Sequence, residues 1–207
     1  MDEKNIIKVP YELMDNLSAN FYHISDKISP HLANNGITPN MITLFRALLG
    51  VMTMALLNKN KLLAAVLIVI FYFLDCLDGH HARKNKMITK FGDYFDHIVD
   101  ILFGISLILY IYPKIDLRKK IMGSIIFVIM VIYVGCEQKY IKFSQSKINN
   151  DESLNISTYM CPGDSLYSVD KVLRITKYFS IGSFIIFLAT AAYNSCTSKG
   201  FFSSCST

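Results

Sequence analysis

Residues 62–78 read LLAAVLIVIFYFLDCLD, an apolar run that passes directly into two aspartates. A run of this kind, with no charge before its end, is typical of a helix that crosses a membrane. Four further apolar runs lie on either side of it, at about 41–57, 91–112, 121–134 and 178–193. The sequence therefore predicts an all-α integral membrane protein with five spanning helices.

The composition agrees with a membrane protein and excludes several other classes. The 207 residues are 52% hydrophobic and 18% charged, and the mean hydropathy is +0.35, which is too apolar for an ordinary soluble domain of this length. Long apolar runs separated by short Lys-rich connectors exclude disorder, collagen and nucleic-acid-binding arms. We interpret the net charge of +5 as attraction to a membrane surface, so the expected partners are membrane lipids and no nucleic acid.

An amphipathic stretch precedes the spanning runs. Its apolar side chains recur at steps of three and four residues, the period of a helix: Leu13, Leu17, Phe21, Ile24 and Ile28. The stretch is too polar to span, so we expect a helix over about 10–30 that lies in the membrane interface and ends at Ser29-Pro30. Packing of this stripe on a partner protein is the alternative.

The chain divides into three parts, which are an N-terminal segment (1–38), a transmembrane domain (39–195) and a loosely ordered tail (196–207). Residues 1–8 have charges of both signs and no apolar core, so no signal peptide is expected to be removed. The connectors on the N-terminal side of the membrane carry more Lys and Arg than those on the other side. This excess favours a cytoplasmic location for the N-terminal side.

Five cysteines are scattered along the chain without a Cys-x-x-Cys pair, namely Cys76, Cys136, Cys161, Cys196 and Cys205. An odd and widely spaced set predicts neither a zinc site nor a disulfide framework. Cys76 and Cys136 fall in apolar runs, where a thiol acts as a small hydrophobe.

Four aspartates mark the end of the second spanning run and the start of the third. Asp75 and Asp78 are spaced i, i+3, and Asp96 and Asp100 are spaced i, i+4, so each pair lies on one helical face. The short connector between the runs lets the two helices return antiparallel, which places all four carboxylates at one depth near a membrane surface. Each unpaired charge near hydrocarbon costs roughly 2.5–3.5 kcal/mol. Divalent metal is the natural compensation, and oxygen ligands select Mg²⁺ or Mn²⁺, which commonly keep open positions for substrate phosphates.

The residues around the aspartates fit a phosphate-bearing ligand. Gly79 and Ala82 leave space for it, and Arg83 offers forked donors to a phosphate. The alternative is an ion-pair network that holds the two helices together, but four Asp against one Arg leave an excess of negative charge that needs cations. Arg46, within the first spanning run, must snorkel to the surface or find a carboxylate.

These residues also carry a family resemblance. The pattern Asp-x-x-Asp-Gly-x-x-Ala-Arg-x8-Gly-x3-Asp-x3-Asp, from Asp75 to Asp100, resembles the signature of the CDP-alcohol phosphotransferases at every specified position. Pro39-Asn40-x-x-Thr43 is similar to the family's first-helix motif, and the resemblance covers roughly residues 10–135. The family usually has six spanning helices, which implies a bundle of five to six, with a sixth helix either degenerate in 153–177 or missing. Family members often pair, so a homodimer is possible.

The resemblance implies a role for each matching residue. Asp75, Asp78 and Asp96 would be ligands of two Mg²⁺ or Mn²⁺ ions, and Asp100 would be a further ligand and the general base. The cytidine diphosphate would be contacted by Asn40, Gly79, Ala82, Arg83 and Thr89. Four basic residues are candidates for binding a phosphate of the acceptor, although contact with lipid headgroups explains them equally well: Lys139, Lys142, Arg174 and Lys177.

Several other polar residues near the motif are not expected to act in the site. Asp93 lies outside the signature, and we interpret it as a solvated acid at a helix start. His80, His81 and His97 are interpreted as polar residues at headgroup level, because a site of oxygen ligands needs no imidazole.

The resemblance implies a CDP-diacylglycerol-dependent phosphatidyltransferase, which would join a phosphatidyl group to a small polar alcohol such as inositol, glycerol 3-phosphate or serine and release CMP, with its active site facing the cytoplasm. An aminoalcohol phosphotransferase that uses CDP-choline or CDP-ethanolamine with diacylglycerol is the alternative, which the short chain disfavours. A non-catalytic membrane protein that binds metal, such as a transporter or scaffold, is a third hypothesis. A transporter would be expected to have acidic residues in the middle of its spanning helices, whereas the four aspartates lie at helix ends.

Overall fold

The computed structural model describes residues 9–144 and 158–195, which form helices and no strand. In chain order they are α1 (Asn16–Asn34), α2 (Pro39–Leu56), α3 (Lys61–Lys84), α4 (Lys90–Ile111), α5 (Leu117–Ser144), α6 (Leu166–Thr176) and α7 (Ile181–Tyr193). The tail predicted for 196–207 lies outside the described residues. The all-α prediction is confirmed.

Side-chain caps fix where most of these helices begin. The cap oxygen accepts a hydrogen bond from a backbone N–H of the first turn, which would otherwise lack a partner inside the helix. The residues that act in this way are Asp15, Thr38, Asn60, Thr89 and Ser165. Pro39 follows its cap in the first turn of α2, where a missing N–H costs no helical hydrogen bond.

Within the described residues, five segments are long and apolar enough to cross a membrane, the number that the sequence predicted. Four of them correspond to α2, α3, α4 with the turn after it, and α5. The fifth runs from Leu166 to Tyr193 and joins α6 and α7 through a 3-10 turn. In the described part of 153–177, helix α6 has 11 residues, which is fewer than the ~20 needed for a separate sixth span.

Two predicted helix ends are wrong. Helix α1 does not end at Ser29-Pro30 but continues to Asn34 with Pro30 inside it. Proline removes the hydrogen bond to the carbonyl four residues earlier, and here the Lys84 ammonium donates to that carbonyl, on Asp26, at 2.8 Å. The same ammonium donates to the Asp26 side chain and lowers the pKa of that carboxyl. Helix α5 runs well past residue 134, so Lys139 and Lys142 lie on its last turns.

The main core lies between α2, α3, α4 and α7. Its centre is the Phe71 ring stacked on Phe103 with 3.9 Å between centroids. Gly50 of α2 makes this approach possible, because a Cβ there would lie 3.1 Å from the Phe71 ring. The outward apolar side chains of these helices are largely exposed, including Val51 and Leu109, which suits a surface in contact with lipid.

Polar contacts attach α1 to α3. The Ser18 hydroxyl lies 2.6 Å from the Tyr72 hydroxyl, and Ser29 lies 2.9 Å from Nδ1 of His81. His80 contacts the Asp26 carboxylate at 3.2 Å. Both histidines are buried where α1 packs on α3, and each finds a hydrogen-bond partner there. Their predicted location at headgroup level stays a prediction.

A second, smaller core lies at the end of the bundle where α3 ends and α4 begins. We call it the disulfide cap, and it consists of Val9, Leu13, Met14, Tyr133, Cys136, Cys161, Val169 and Leu173. Cys136 at the end of α5 and Cys161 before α6 form a disulfide bond. The expectation of no disulfide framework, with Cys136 as a free thiol, is wrong. Sequence spacing could not indicate the pairing, because the partners are 25 residues apart and meet only when the chain returns onto α5.

Candidate functional site

The antiparallel turn from α3 to α4 brings the four predicted aspartates together. Oxygen atoms of Asp75, Asp78 and Asp96 all lie within 4.8 Å of one another. The side chain of Asp78 is 3% exposed, those of Asp75 and Asp96 are 29% exposed, and that of Asp100 is 43% exposed. One carboxylate is thus anchored inside the bundle, while Asp100 faces the opening.

Arg46 of α2 lies at the centre of these carboxylates, with no exposed side-chain surface. Its guanidinium contacts Asp75, lies 2.5 Å from Asp96 and 3.0 Å from Asp100, and its Nε lies 3.8 Å from Asp78. Of the two alternatives predicted for Arg46, snorkelling to the surface or contact with a carboxylate, the structure shows the second. We call these four aspartates and Arg46 the acidic centre.

Charge balance separates the acidic centre from a purely structural ion-pair network. Four carboxylates and one guanidinium give a formal charge of −4 + 1 = −3. Unbalanced like charges at this depth repel one another, and burial makes each of them costly. The donors are all carboxylate oxygens, which are the ligands of hard cations such as Mg²⁺ and Mn²⁺. The residues present therefore fit a divalent metal site.

The first turn of α2 orients the buried carboxylate. The Thr43 hydroxyl lies 2.9 Å from Oδ2 of Asp78 and 3.2 Å from the Pro39 carbonyl oxygen. Thr43 is itself buried, so this contact fixes one rotamer of Asp78. The sequence analysis placed Thr43 in a motif but gave it no role. The available signal was its position, one turn before Arg46 on the same helix.

Asn40 and Thr89 meet at the start of α4. The Thr89 hydroxyl caps the helix and accepts from the Gly92 N–H at 3.0 Å. A Cβ on Gly92 would lie 2.7 Å from Oδ1 of Asn40 and 3.0 Å from Oγ1 of Thr89. Glycine at position 92 is therefore what lets these two polar side chains lie one turn from Asp96.

Arg83 folds back along α3 towards α1. Its guanidinium lies above Gly79, where a Cβ would be 3.3 Å from Nη1, and 5.9 Å from the centre of the Tyr22 ring. Nη2 donates to the Tyr22 hydroxyl at 3.5 Å. Burial raises the pKa of the Tyr22 phenol, so the hydroxyl remains neutral beside the guanidinium. Tyr22 was not among the predicted site residues, because the hydrophobic stripe of α1 does not include it.

Three of the four basic candidates for acceptor binding contact groups other than the four aspartates. Lys139 lies 3.2 Å from the Asp164 carboxylate. Arg174 pairs with Asp170 at 2.7 Å, and Lys177 donates to the Glu12 carbonyl at 3.0 Å. Lys142 lies on the last turn of α5.

Asp93 is positioned differently from the other acids at the start of α4. Its side chain is 69% exposed, and its carboxylate lies 3.8 Å from Nδ1 of His97. The contact is between two exposed side chains and does not include Arg46. Its placement agrees with the interpretation of Asp93 as a solvated acid.

Comparison with known proteins identifies relatives of this arrangement. Residues 36–158 match the family model for CDP-alcohol phosphatidyltransferase. An archaetidylinositol phosphate synthase of Pyrococcus horikoshii is 36% identical over 89 residues, which are 40% of this chain and 47% of that protein. A bifunctional IPC transferase and DIPP synthase of Aquifex aeolicus is 32% identical over 53% of this chain and 26% of that protein.

A eukaryotic relative aligns over more of the chain. A CDP-diacylglycerol–inositol 3-phosphatidyltransferase of Candida albicans is 23% identical over 164 residues, which are 73% of this chain and 71% of that protein. The chain therefore spans less than half of the first two relatives and about two thirds of the third.

Proposed function

The chain belongs to the CDP-alcohol phosphatidyltransferase family, and from this premise we propose that it transfers a phosphatidyl group from CDP-diacylglycerol to a small polar alcohol and releases CMP. The observation that carries the proposal is the acidic centre, in which the aspartates of the family pattern converge with a residual charge of −3. The pattern lies at the end of two spanning helices, where a lipid-linked nucleotide and a water-soluble alcohol can meet.

In this proposal Asp75, Asp78 and Asp96 hold Mg²⁺ or Mn²⁺, two ions in all. When bound, such a metal would supply positive charge against the pyrophosphate and the leaving CMP. Asp78 is the anchored ligand, because Thr43 fixes its orientation. Arg46 offsets one negative charge and so holds the carboxylates close to one another before metal binds.

Asp100 is the proposed general base. It is the most exposed of the four carboxylates, and it lies at the open side of the acidic centre. It takes the proton from the acceptor hydroxyl while that oxygen forms a bond to the phosphatidyl phosphorus. The bond between this phosphorus and the CMP oxygen breaks. A positioned base of this kind typically accelerates the reaction ~10²–10⁴-fold.

The nucleotide would lie against the polar residues that flank the acidic centre. Asn40 and Thr89 present side-chain oxygens beside Gly92 at the start of α4. On the α3 side, Gly79 and Ala82 leave the backbone open, and Arg83 offers forked donors to a phosphate. The Tyr22 ring contacts the guanidinium of Arg83 and so helps to orient it.

The proposed acceptor is a polyol or its phosphate, because the names of two relatives specify inositol or inositol phosphate products. A phosphorylated acceptor would bind to Lys139 and Lys142 on α5, to Arg174 in the last turn of α6 and to Lys177 in the turn between α6 and α7. The acidic centre faces the cytoplasm in this proposal, since basic residues are enriched on the connectors at that end.

The experiment that tests the proposal measures CMP release by the purified chain from CDP-diacylglycerol with Mg²⁺ or Mn²⁺. Acceptors are glycerol 3-phosphate, inositol, inositol phosphate and serine, and CDP-choline with diacylglycerol is the control for the aminoalcohol branch. We expect metal-dependent CMP release with one of the CDP-diacylglycerol acceptors. CMP from the control alone, or from no mixture while folded protein still binds metal, would contradict the proposal.

A further inference from the structure

A groove lies at the end of the bundle opposite to the acidic centre. It has a volume of about 270 Å³ and runs between the C-terminal half of α4, the first half of α5 and α7. Ile111, which lines it, is eleven residues beyond Asp100 on α4, which corresponds to about 16 Å along the helix axis. The groove is therefore separate from the proposed transfer site.

The packing of the helices explains why a groove exists here. Helix α4 packs mainly on α2, whereas α5 packs on α6 and α7, so α4 and α5 diverge. Gly123 of α5 packs against the Phe187 ring of α7 at the base of the groove, where a Cβ on residue 123 would lie 2.6 Å from that ring. The side chains that line the groove are mostly apolar. Phe127 and Val128 are exposed, so the groove is open to lipid on that side.

The mouth of the groove is basic. Lys119 and Lys120 both line it, and the connector from Lys114 to Lys120 contains four basic residues against one acid, Asp116. Asp116 lies 3.5 Å from Lys119. Lys120 lies 4.9 Å from the centre of the Tyr112 ring, and in the described part of the chain it has no carboxylate partner. The groove thus combines an apolar channel with an excess of positive charge at one end.

We propose that this groove binds an anionic phospholipid, with one acyl chain between α4 and α5 and the headgroup phosphate against Lys119 and Lys120. Its volume of about 270 Å³ lies just below the range for pockets that hold drug-sized ligands, about 300–1,000 Å³, and suits a single acyl chain. The occupant would come from the leaflet opposite to the acidic centre, since the basic mouth of the groove lies at that end of the bundle.

The positive charge at the mouth of the groove favours a lipid, rather than a second copy of this chain, as the occupant. Two copies that paired across the groove about a two-fold axis along the membrane normal would bring the same surface of each into contact. Lys119 and Lys120 would then face the same two residues of the other copy. Like charges this close oppose association, whereas a phosphate complements them.

The test uses the full-length chain reconstituted in phosphatidylcholine nanodiscs that contain a minor fraction of phosphatidylglycerol. Native mass spectrometry after gentle release counts the phosphatidylglycerol that remains bound. We expect preferential retention of phosphatidylglycerol over phosphatidylcholine. The double variant K119Q/K120Q should weaken this retention on the order of ten- to thirty-fold.

Two further variants make the test specific to the groove. K59Q/K61Q removes the same two charges from the other connector at this end of the bundle and should retain the lipid. Ser124→Phe fills the groove without changing charge and should displace it. Equal retention of both lipids, equal loss in K59Q/K61Q, or a cross-linked second copy across a lipid-free groove would overturn the proposal.

Discussion

The acidic centre and the disulfide cap lie at the same end of the bundle and are built in opposite ways. The acidic centre takes its aspartates from a short stretch, 75–100, in which helical spacing alone puts the carboxylates on facing surfaces. The cap gathers segments that are far apart in the sequence and joins them with apolar packing and one disulfide bond. Helical periodicity in the sequence therefore predicts the acidic centre but does not indicate the disulfide cap.

The two regions also differ in what they contribute to stability. The acidic centre concentrates a charge of −3 around a fully buried guanidinium, an arrangement that carries a desolvation penalty. The cap buries apolar side chains such as Val169 and Leu173 completely and stabilises the fold. We infer that the cap and the main core offset the cost of keeping unbalanced charge where the proposed chemistry needs it.

The largest expected effect separates chemistry from folding. Asp100→Asn keeps the size of the side chain but removes the proposed base, so kcat for CMP release should fall by ~10²–10⁴. The melting temperature and the affinity for CDP-diacylglycerol should change little, because the cap and the nucleotide-contacting residues are untouched. Near-normal turnover in this variant would remove Asp100 from the role of base.

Arg46→Met should affect stability more than any change in the cap. The side chain keeps its bulk, but four carboxylates lose their buried counterion, which costs about 3–5 kcal/mol of unfolding free energy. Divalent metal should restore more of the melting temperature in this variant than in the wild type, since it replaces the missing positive charge.

Arg118→Met serves as the control for this variant, because Arg118 is an exposed arginine at the opposite end of the bundle. Its melting temperature and its response to metal should match those of the wild type. If Mg²⁺ raised the melting temperature of neither Arg46→Met nor the wild type, the acidic centre would not be a metal site.

Cys161→Ser should loosen the cap while leaving the acidic centre intact. Loss of a bond that closes a loop of this length lowers the unfolding free energy by about 2–4 kcal/mol. The bond lies at the end proposed to face the more reducing side of the membrane, and the burial of Cys136 and Cys161 shields it there.

The measurement for this variant is thermal unfolding with and without a reductant, together with a count of alkylatable thiols. Reductant should lower the melting temperature of the wild type towards that of Cys161→Ser and leave the variant unchanged. A large loss of metal-dependent activity in Cys161→Ser would mean that the two regions are not independent.

A smaller effect is expected from Gly92→Ala. The new Cβ would crowd Asn40 and Thr89, so KM for CDP-diacylglycerol should rise by about ten-fold with a lesser change in kcat. Gly104→Ala on the same helix is the matched control, because no heavy atom lies within 4 Å of a Cβ there. The same KM in the two variants would remove Asn40 and Thr89 from the nucleotide site.

The sequence predicted the spans and the four aspartates because both depend on local periodicity. It predicted that Arg46 either snorkels to the surface or finds a carboxylate. It did not predict that one guanidinium lies beside all four aspartates, which depends on how α2 packs against α3 and α4. The continuation of α1 past Pro30 was missed because Lys84, distant in sequence, satisfies the freed carbonyl. The Cys136–Cys161 pairing likewise depends on a long-range contact that residue spacing does not encode.

The central claim is that the acidic centre is the metal-dependent transfer site, and two aspartates one turn apart on α4 test it most directly. Mn²⁺-dependent CMP release from CDP-diacylglycerol should fall to background in Asp96→Asn, whose carboxylate contacts Arg46 and belongs to the cluster. It should stay close to the wild-type rate in Asp93→Asn, whose side chain is 69% exposed. Equal losses in the two variants, or normal activity in Asp96→Asn, would contradict the account.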